Sequence, residues 1–174
     1  MEEQLIKGCI KKNIRAQQQV YEKYAPMMMS VCLRYVRDRN IAEDVLQDGF
    51  IKVFTKLHTY SGSGSFAGWM RKIFVNTALE HLRRNDVLKY STEIETAFYI
   101  ENDNVSAIDK ISADELMQCI MELPAGFRTV FNMFAVEGYS HAEIAEKLGV
   151  REGTSRSQYA RARAILQEKI LKLK

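Results

Sequence analysis

The chain has 174 residues, 47% of them hydrophobic, with nine glycines, two prolines and a net charge of +3. That is enough apolar material for two small domains or one of medium size, and too little net charge to mark the whole surface as a polyanion binder. The three cysteines (Cys9, Cys32 and Cys119) are odd in number and far apart, which excludes a disulfide framework or a cysteine zinc site and suits a reducing cytoplasm. The start, Met1-Glu2-Glu3, lacks the basic-then-apolar pattern of a signal peptide. No apolar run reaches the length of a membrane span.

From Asn13 to Asp86 apolar residues recur at helical spacing, broken only by the loop Ser61-Gly62-Ser63-Gly64-Ser65. Within Ile41–Leu57, a helical projection gathers Ala42, Leu46, Phe50, Val53 and Leu57 on one side. Asp44, Gln47, Asp48 and Ile51 gather on the other. Acid, amide and acid around one exposed isoleucine suit docking on a basic protein surface, with Ile51 as an apolar anchor; the plainer reading is a solvated polar face. The segment Phe66–Arg84 carries Lys72, Asn76, Glu80 and Arg83 along one stripe, with Arg71 and Arg84 beside it, groups able to meet base edges or phosphates. Tyr60 and Phe66 flank the Gly/Ser loop, whose flexible backbone could mould around an unstacked base. Trp69, the one tryptophan, reads as a core residue.

From Val87 to Ser112 five acids (Glu93, Glu95, Glu101, Asp103, Asp109) face Lys89 and Lys110, and few residues are periodic. This reads as an acidic linker. Helical spacing returns from Ala113, with breaks at Pro124, Glu137-Gly138 and Gly149. Ser140 and Glu143 have the spacing of a capping box. A short helix, Gly149 in a turn and a longer helix from about Glu152 form a helix-turn-helix pattern. From Arg151 to Lys174 seven basic residues outnumber Glu152 and Glu168. Ser155, Tyr159, Ala162 and Leu166 share the face that should pack inward. Arg156, Ser157, Ala160 and Arg161 lie opposite, with Gln158 and Arg163 on the flanks. Twelve helical residues span about 18 Å, enough to lie in a major groove about 12 Å wide. The fold class expected is all-α: two small helical domains, residues 13–86 and 113–174, joined by an acidic linker, the second containing the helix-turn-helix.

In this order, the segments resemble the sigma factors of bacterial RNA polymerase, in particular their two-domain extracytoplasmic-function group. Arg37-Asp38, followed by Ala42-Glu43-Asp44-Val45-Leu46-Gln47-Asp48-Gly49-Phe50, is similar to the family segment that binds the polymerase β′ subunit. Phe66-Ala67-Gly68-Trp69-Met70, then Ile73, Asn76, Glu80 and Arg83, resembles the helix that reads and opens the minus-ten element. Leu123-Pro124, Phe127-Arg128 and Tyr139 to Ala145 match the second domain, and Glu152 to Arg163 resembles the recognition helix for the minus-thirty-five element.

The resemblance implies a protein that catalyses nothing itself, needs no cofactor or metal, and brings core RNA polymerase (β′ and β subunits) to promoter DNA, with an anti-sigma factor as a candidate partner. It implies polymerase contacts at Asp44, Gln47, Asp48 and Ile51. Minus-ten contacts fall at Tyr60, Ser61, Gly62, Ser63, Phe66, Lys72, Asn76, Arg83 and Arg84. Minus-thirty-five contacts fall at Arg151, Thr154, Arg156, Ser157, Gln158, Arg161 and Arg163. It also implies that the acidic linker threads the positively charged RNA path of polymerase.

Four positions depart from the family pattern. Ser155 stands where Val is usual, which weakens the inward packing unless Tyr159 compensates. Arg151 stands where a capping Ser is common, Glu80 replaces Asp, and Gln158 replaces Arg. Two other classes compete. A helix-turn-helix regulator independent of polymerase would leave Asp44, Gln47 and Asp48 without a task. A helical-bundle enzyme with a carboxylate metal site would draw on Glu43, Asp44 and Asp48, but no Glu-x-x-His motif exists and His58, His81 and His141 stand in separate segments.

Overall fold

The computed structural model describes residues 2–85 and 111–173, and every regular element among these is helical. The chain divides into two compact units, Met1–Leu82 and Arg83–Lys174. The stretch read as an acidic linker lies outside the described residues as far as Lys110.

The first unit begins one helix earlier than the periodicity starting at Asn13 suggests. Helix α1 (Glu2–Ile10) packs on helix α2 (Ile14–Val36) and buries Cys9. Lys12 makes the turn between them at φ 59°, and Asn13 caps α2 by accepting from the Ala16 N–H at 3.1 Å. At the far end Arg37, at φ 64°, donates its N–H to the Leu33 carbonyl at 3.0 Å. Asp38 then caps helix α3 (Arg39–Lys56) by accepting from the Ile41 N–H at 3.0 Å. The pair Arg37-Asp38 thus stops one helix and starts the next with no residue between. A 3-10 turn (Leu57–Thr59) leads into the Gly/Ser loop and then helix α4 (Phe66–Arg84).

All five residues assigned to the inner side of α3 (Ala42, Leu46, Phe50, Val53 and Leu57) are buried. Phe66, Met70, Phe74 and Ala78 of α4, and Val20, Met28, Val31 and Tyr35 of α2, are buried in the same unit. Phe50 meets Phe74 edge-on at 5.2 Å. Gly49 permits this approach: a Cβ there would lie 2.2 Å from the Phe74 ring.

The second unit holds helix α5 (Ala113–Met121), helix α6 (Ala125–Phe131) continued by a π turn (Asn132–Val136), helix α7 (His141–Leu148) and helix α8 (Glu152–Lys172). The breaks at Pro124, Gly138 and Gly149 fall where the sequence sets them, with both glycines at positive φ. Cys119, Ile120, Leu123, Phe127, Ala162 and Leu166 form the core. Arg128 is buried among them, and its Nη1 donates to the carbonyls of Leu123 at 2.8 Å and Met121 at 3.1 Å. One guanidinium therefore satisfies carbonyls that the end of α5 would otherwise leave open. Among the described residues no helix is long and apolar enough to cross a membrane.

Candidate functional site

On α3 the polar side stands clear of the core. Asp44, Gln47, Asp48 and Ile51 are all exposed, Ile51 at 63%. Neighbouring Glu43 is taken by Arg39, 3.2 Å away and one turn earlier. The exposed patch is two carboxylates, an amide and a branched alkyl group on adjacent turns.

On α4, Lys72, Asn76 and Arg83 are exposed along the expected stripe, and Arg84 is exposed beside it. Glu80 lies in the same stripe, but its carboxylate pairs with Lys52 of α3 at 2.6 Å, so it ties two helices together. Phe66 requires a correction: at 1% exposure it is a core residue, not a free contact. Its position explains this, because as the first residue of α4 it lies one turn before buried Met70 and two before Phe74. Trp69 is half-buried, stacked on Phe66 with centroids 5.7 Å apart. Ser61, Gly62 and Ser63 are exposed and Tyr60 is half-exposed. Nearby Tyr24 lies edge-on to Phe66 and donates to the Glu2 carboxylate. Burial raises the Tyr24 phenol above its ordinary value, while that hydrogen bond, then Lys23, lowers Glu2.

In the second unit the capping box at the start of α7 is complete. The Ser140 hydroxyl accepts from the Glu143 N–H at 3.2 Å, and the Glu143 carboxylate accepts from the Ser140 N–H at 2.8 Å. That backbone bond, then the one from the Ser140 hydroxyl, holds the Glu143 carboxyl below its ordinary range. Gly149, at φ 69°, closes the helix in the left-handed region. Helix α8 follows with Arg151 at its cap position and no side-chain cap.

The buried stripe of α8 is Ser155, Gln158, Ala162, Leu166 and Ile170. Gln158 is therefore corrected: it is 6% exposed and faces inward. It lies three residues after Ser155 and four before Ala162, the spacing that shares a helix face. Tyr159 is half-buried beside it. The buried Ser155 hydroxyl is matched by a hydrogen bond. His141 Nδ1 of α7 lies 2.9 Å from Ser155 Oγ, and its ring stacks on Phe134 at 4.2 Å. The sequence hinted at this pair only through the odd placement of a serine on an apolar stripe. Arg151, Arg156, Ser157, Ala160 and Arg163 are exposed, with Thr154 and Arg161 half-exposed. Arg156 is pre-paired with Glu152 one turn earlier. Among the described residues no group of His, Cys, Asp and Glu could hold a metal ion.

The family description Sigma-70 region 2 matches residues 20–87, and Sigma-70 region 4 matches residues 113–166. The chain is 30% identical to the RNA polymerase sigma-H factor of Pseudomonas aeruginosa, over 96% of this chain and 92% of that one. It is 29% identical to the ECF RNA polymerase sigma-E factor of Haemophilus influenzae, over 85% and 84%. Its fold matches that of the sigma factor RpoE crystallised with the anti-sigma factor NepR from Bartonella quintana. The TM-score is 0.52 at 22% identity, over 89% of this chain and 96% of that one.

Proposed function

The chain belongs to the extracytoplasmic-function group of RNA polymerase sigma factors, and on that premise we propose which of its surfaces do the work of directing polymerase to promoters. Asp44, Gln47, Asp48 and Ile51 dock on the β′ subunit. Lys72, Asn76, Arg83 and Arg84 of α4, with the loop Ser61–Ser65, take the minus-ten element. Arg151, Arg156, Ser157 and Arg163, with Thr154 and Arg161 at the edge of the face, take the minus-thirty-five element. Gln158 and Phe66 drop out of these sets because they are buried, and Tyr60 is set apart because its hydroxyl is turned to the Gly64 carbonyl. The observation that carries the reading is the separation of faces on α3 and α8. On each, the apolar stripe is consumed by its own core, and an exposed face of one character is left over, acidic on α3 and rich in arginine on α8.

Residues 13–86, together with α1, and residues 113–174 are proposed to fold as separate domains, with the region 4 domain reading duplex DNA while the region 2 domain holds unpaired bases. Each flipped base costs a few kcal/mol to unstack, offset by contacts in the loop. An anti-sigma factor that covered the α3 face would compete directly with core polymerase.

The test is the double variant Asp44→Lys with Asp48→Lys, mixed with purified core polymerase. Losing one partner of a buried charge pair costs on the order of 2–5 kcal/mol. Co-purification should therefore be abolished while the far-UV circular dichroism stays unchanged. Wild-type binding by the double variant would mean that this face is only solvated.

A further inference from the structure

The Gly/Ser loop is held in shape rather than left slack. Gly62 and Gly64 sit at φ 77° and 78°, and an added Cβ would meet nothing within 4 Å at either. The backbone conformation, not crowding, calls for glycine there. The Tyr60 hydroxyl reaches across the loop and donates to the Gly64 carbonyl at 2.8 Å. Ser61 Oγ accepts from the Ser63 N–H at 3.3 Å, and Ser65 Oγ accepts from the Gly68 N–H at 3.0 Å, tying the loop's exit to the first turn of α4. The Tyr60 ring is itself fixed, with Phe66 at 5.3 Å and Trp69 at 5.5 Å. Phe66 rests edge-on against Tyr24 at 5.6 Å, and Tyr24 donates to Glu2 of α1. Glu2 is also paired with Lys23 at 3.0 Å. A continuous line of contacts joins α1 to the loop through two aromatic rings of the core and one at its edge.

We propose that Tyr60 is a positioning residue for capture of the unpaired minus-ten base, setting the loop in its receiving conformation and anchored to α1 through Phe66, Tyr24 and Glu2. This rests on the reading that the loop Ser61–Ser65 holds that base. A loop already ordered in the free protein has less conformational freedom to lose when the base enters. Tyr60 acts through the Gly64 carbonyl and so need not touch DNA. Tyr60→Phe removes only the oxygen and leaves the ring between Phe66 and Trp69. Tyr24→Phe breaks the tie to Glu2 and leaves the ring against Phe66.

Holoenzyme made from the full chain and core polymerase is offered a pool of single-stranded DNA with randomised minus-ten positions, and base enrichment is read at each position. Tyr60→Phe should lower enrichment at the loop-bound position about fivefold, the scale of one lost hydrogen bond, with core binding and far-UV circular dichroism unchanged. Tyr24→Phe should act at the same position by about twofold. A variant lacking Gly62-Ser63-Gly64 separates the two levels of the claim. If the deletion erases the preference and Tyr60→Phe does not alter it, positioning by Tyr60 is overturned. If neither alters it, the loop does not hold a base and the underlying reading fails. A loss of preference accompanied by lost core binding or lost helical circular dichroism would make Tyr60 a fold residue only. No effect of Tyr24→Phe would remove α1 from the line.

Discussion

In the first unit, Tyr35, Phe66, Phe74, Met28 and Leu57 are almost wholly buried, and Arg34 and Thr77 are the buried polar residues among those described. The second unit, with fewer described residues, buries Arg128, Thr129, Asn132, Ser155 and Gln158. Two complete capping boxes, Ser112 with Glu115 and Ser140 with Glu143, also belong to it. Arg128 and Ser155 find partners there, so directional hydrogen bonds join apolar packing in fixing these helices. Apolar packing tolerates small shifts but resists added volume, so the first unit should be most sensitive to crowding.

The largest expected effect tests the polar side of that contrast. Arg128→Ala removes a buried side chain and strands the carbonyls of Met121 and Leu123, at a cost of about 4 kcal/mol. Residue-resolved amide hydrogen exchange should quicken across α5 to α8 while α2 to α4 keep their protection. Equal quickening in both units would break the comparison and the separate-domain reading together.

Next comes volume in the first unit. Gly49→Ala drives a methyl into the Phe74 ring, and overpacking of this kind costs about 1–3 kcal/mol. The same exchange measurement should show loss of protection in α3 and α4, with the second unit untouched. A neutral result would mean that Phe74 has room to move and that the first core is looser than its burial implies.

Acid gives the smallest effect and the finest distinction. Backbone and hydroxyl hydrogen bonds from Ser112 and Ser140 lower the Glu115 and Glu143 carboxyls. Groups lowered on folding contribute stability that is present above their ordinary value and lost as pH falls through the lowered one. The N-termini of α5 and α7 should therefore fray once pH falls below the ordinary carboxylate range, while α2, capped by the Asn13 amide, stays closed. Backbone amide NMR of Ser112, Ser140 and Ala16 across the acidic range checks this. Simultaneous fraying of α2 would show that the capping glutamates are not the acid-sensitive element.

The amino-acid sequence alone determined the helical class, the helix-turn-helix, the Ser140 cap and the division of α3 into two faces. These depend on contacts within four residues along the chain, which periodicity records directly. Helix α1 was within reach through the spacing of Leu5, Ile6 and Cys9, which falls before the point where the longer pattern starts. Spacing within their own helices sets Phe66 and Gln158 beside buried residues, and tertiary packing decided that both are buried. Both sit at the margin of an apolar stripe, where the partner helix, rather than the residue's own helix, settles how far burial extends. The same holds for the His141–Ser155 bond, the Arg128 tie to α5 and the line from Glu2 to Tyr60. Each joins groups that local sequence spacing does not bring together, so only the packing of one element on another could reveal them.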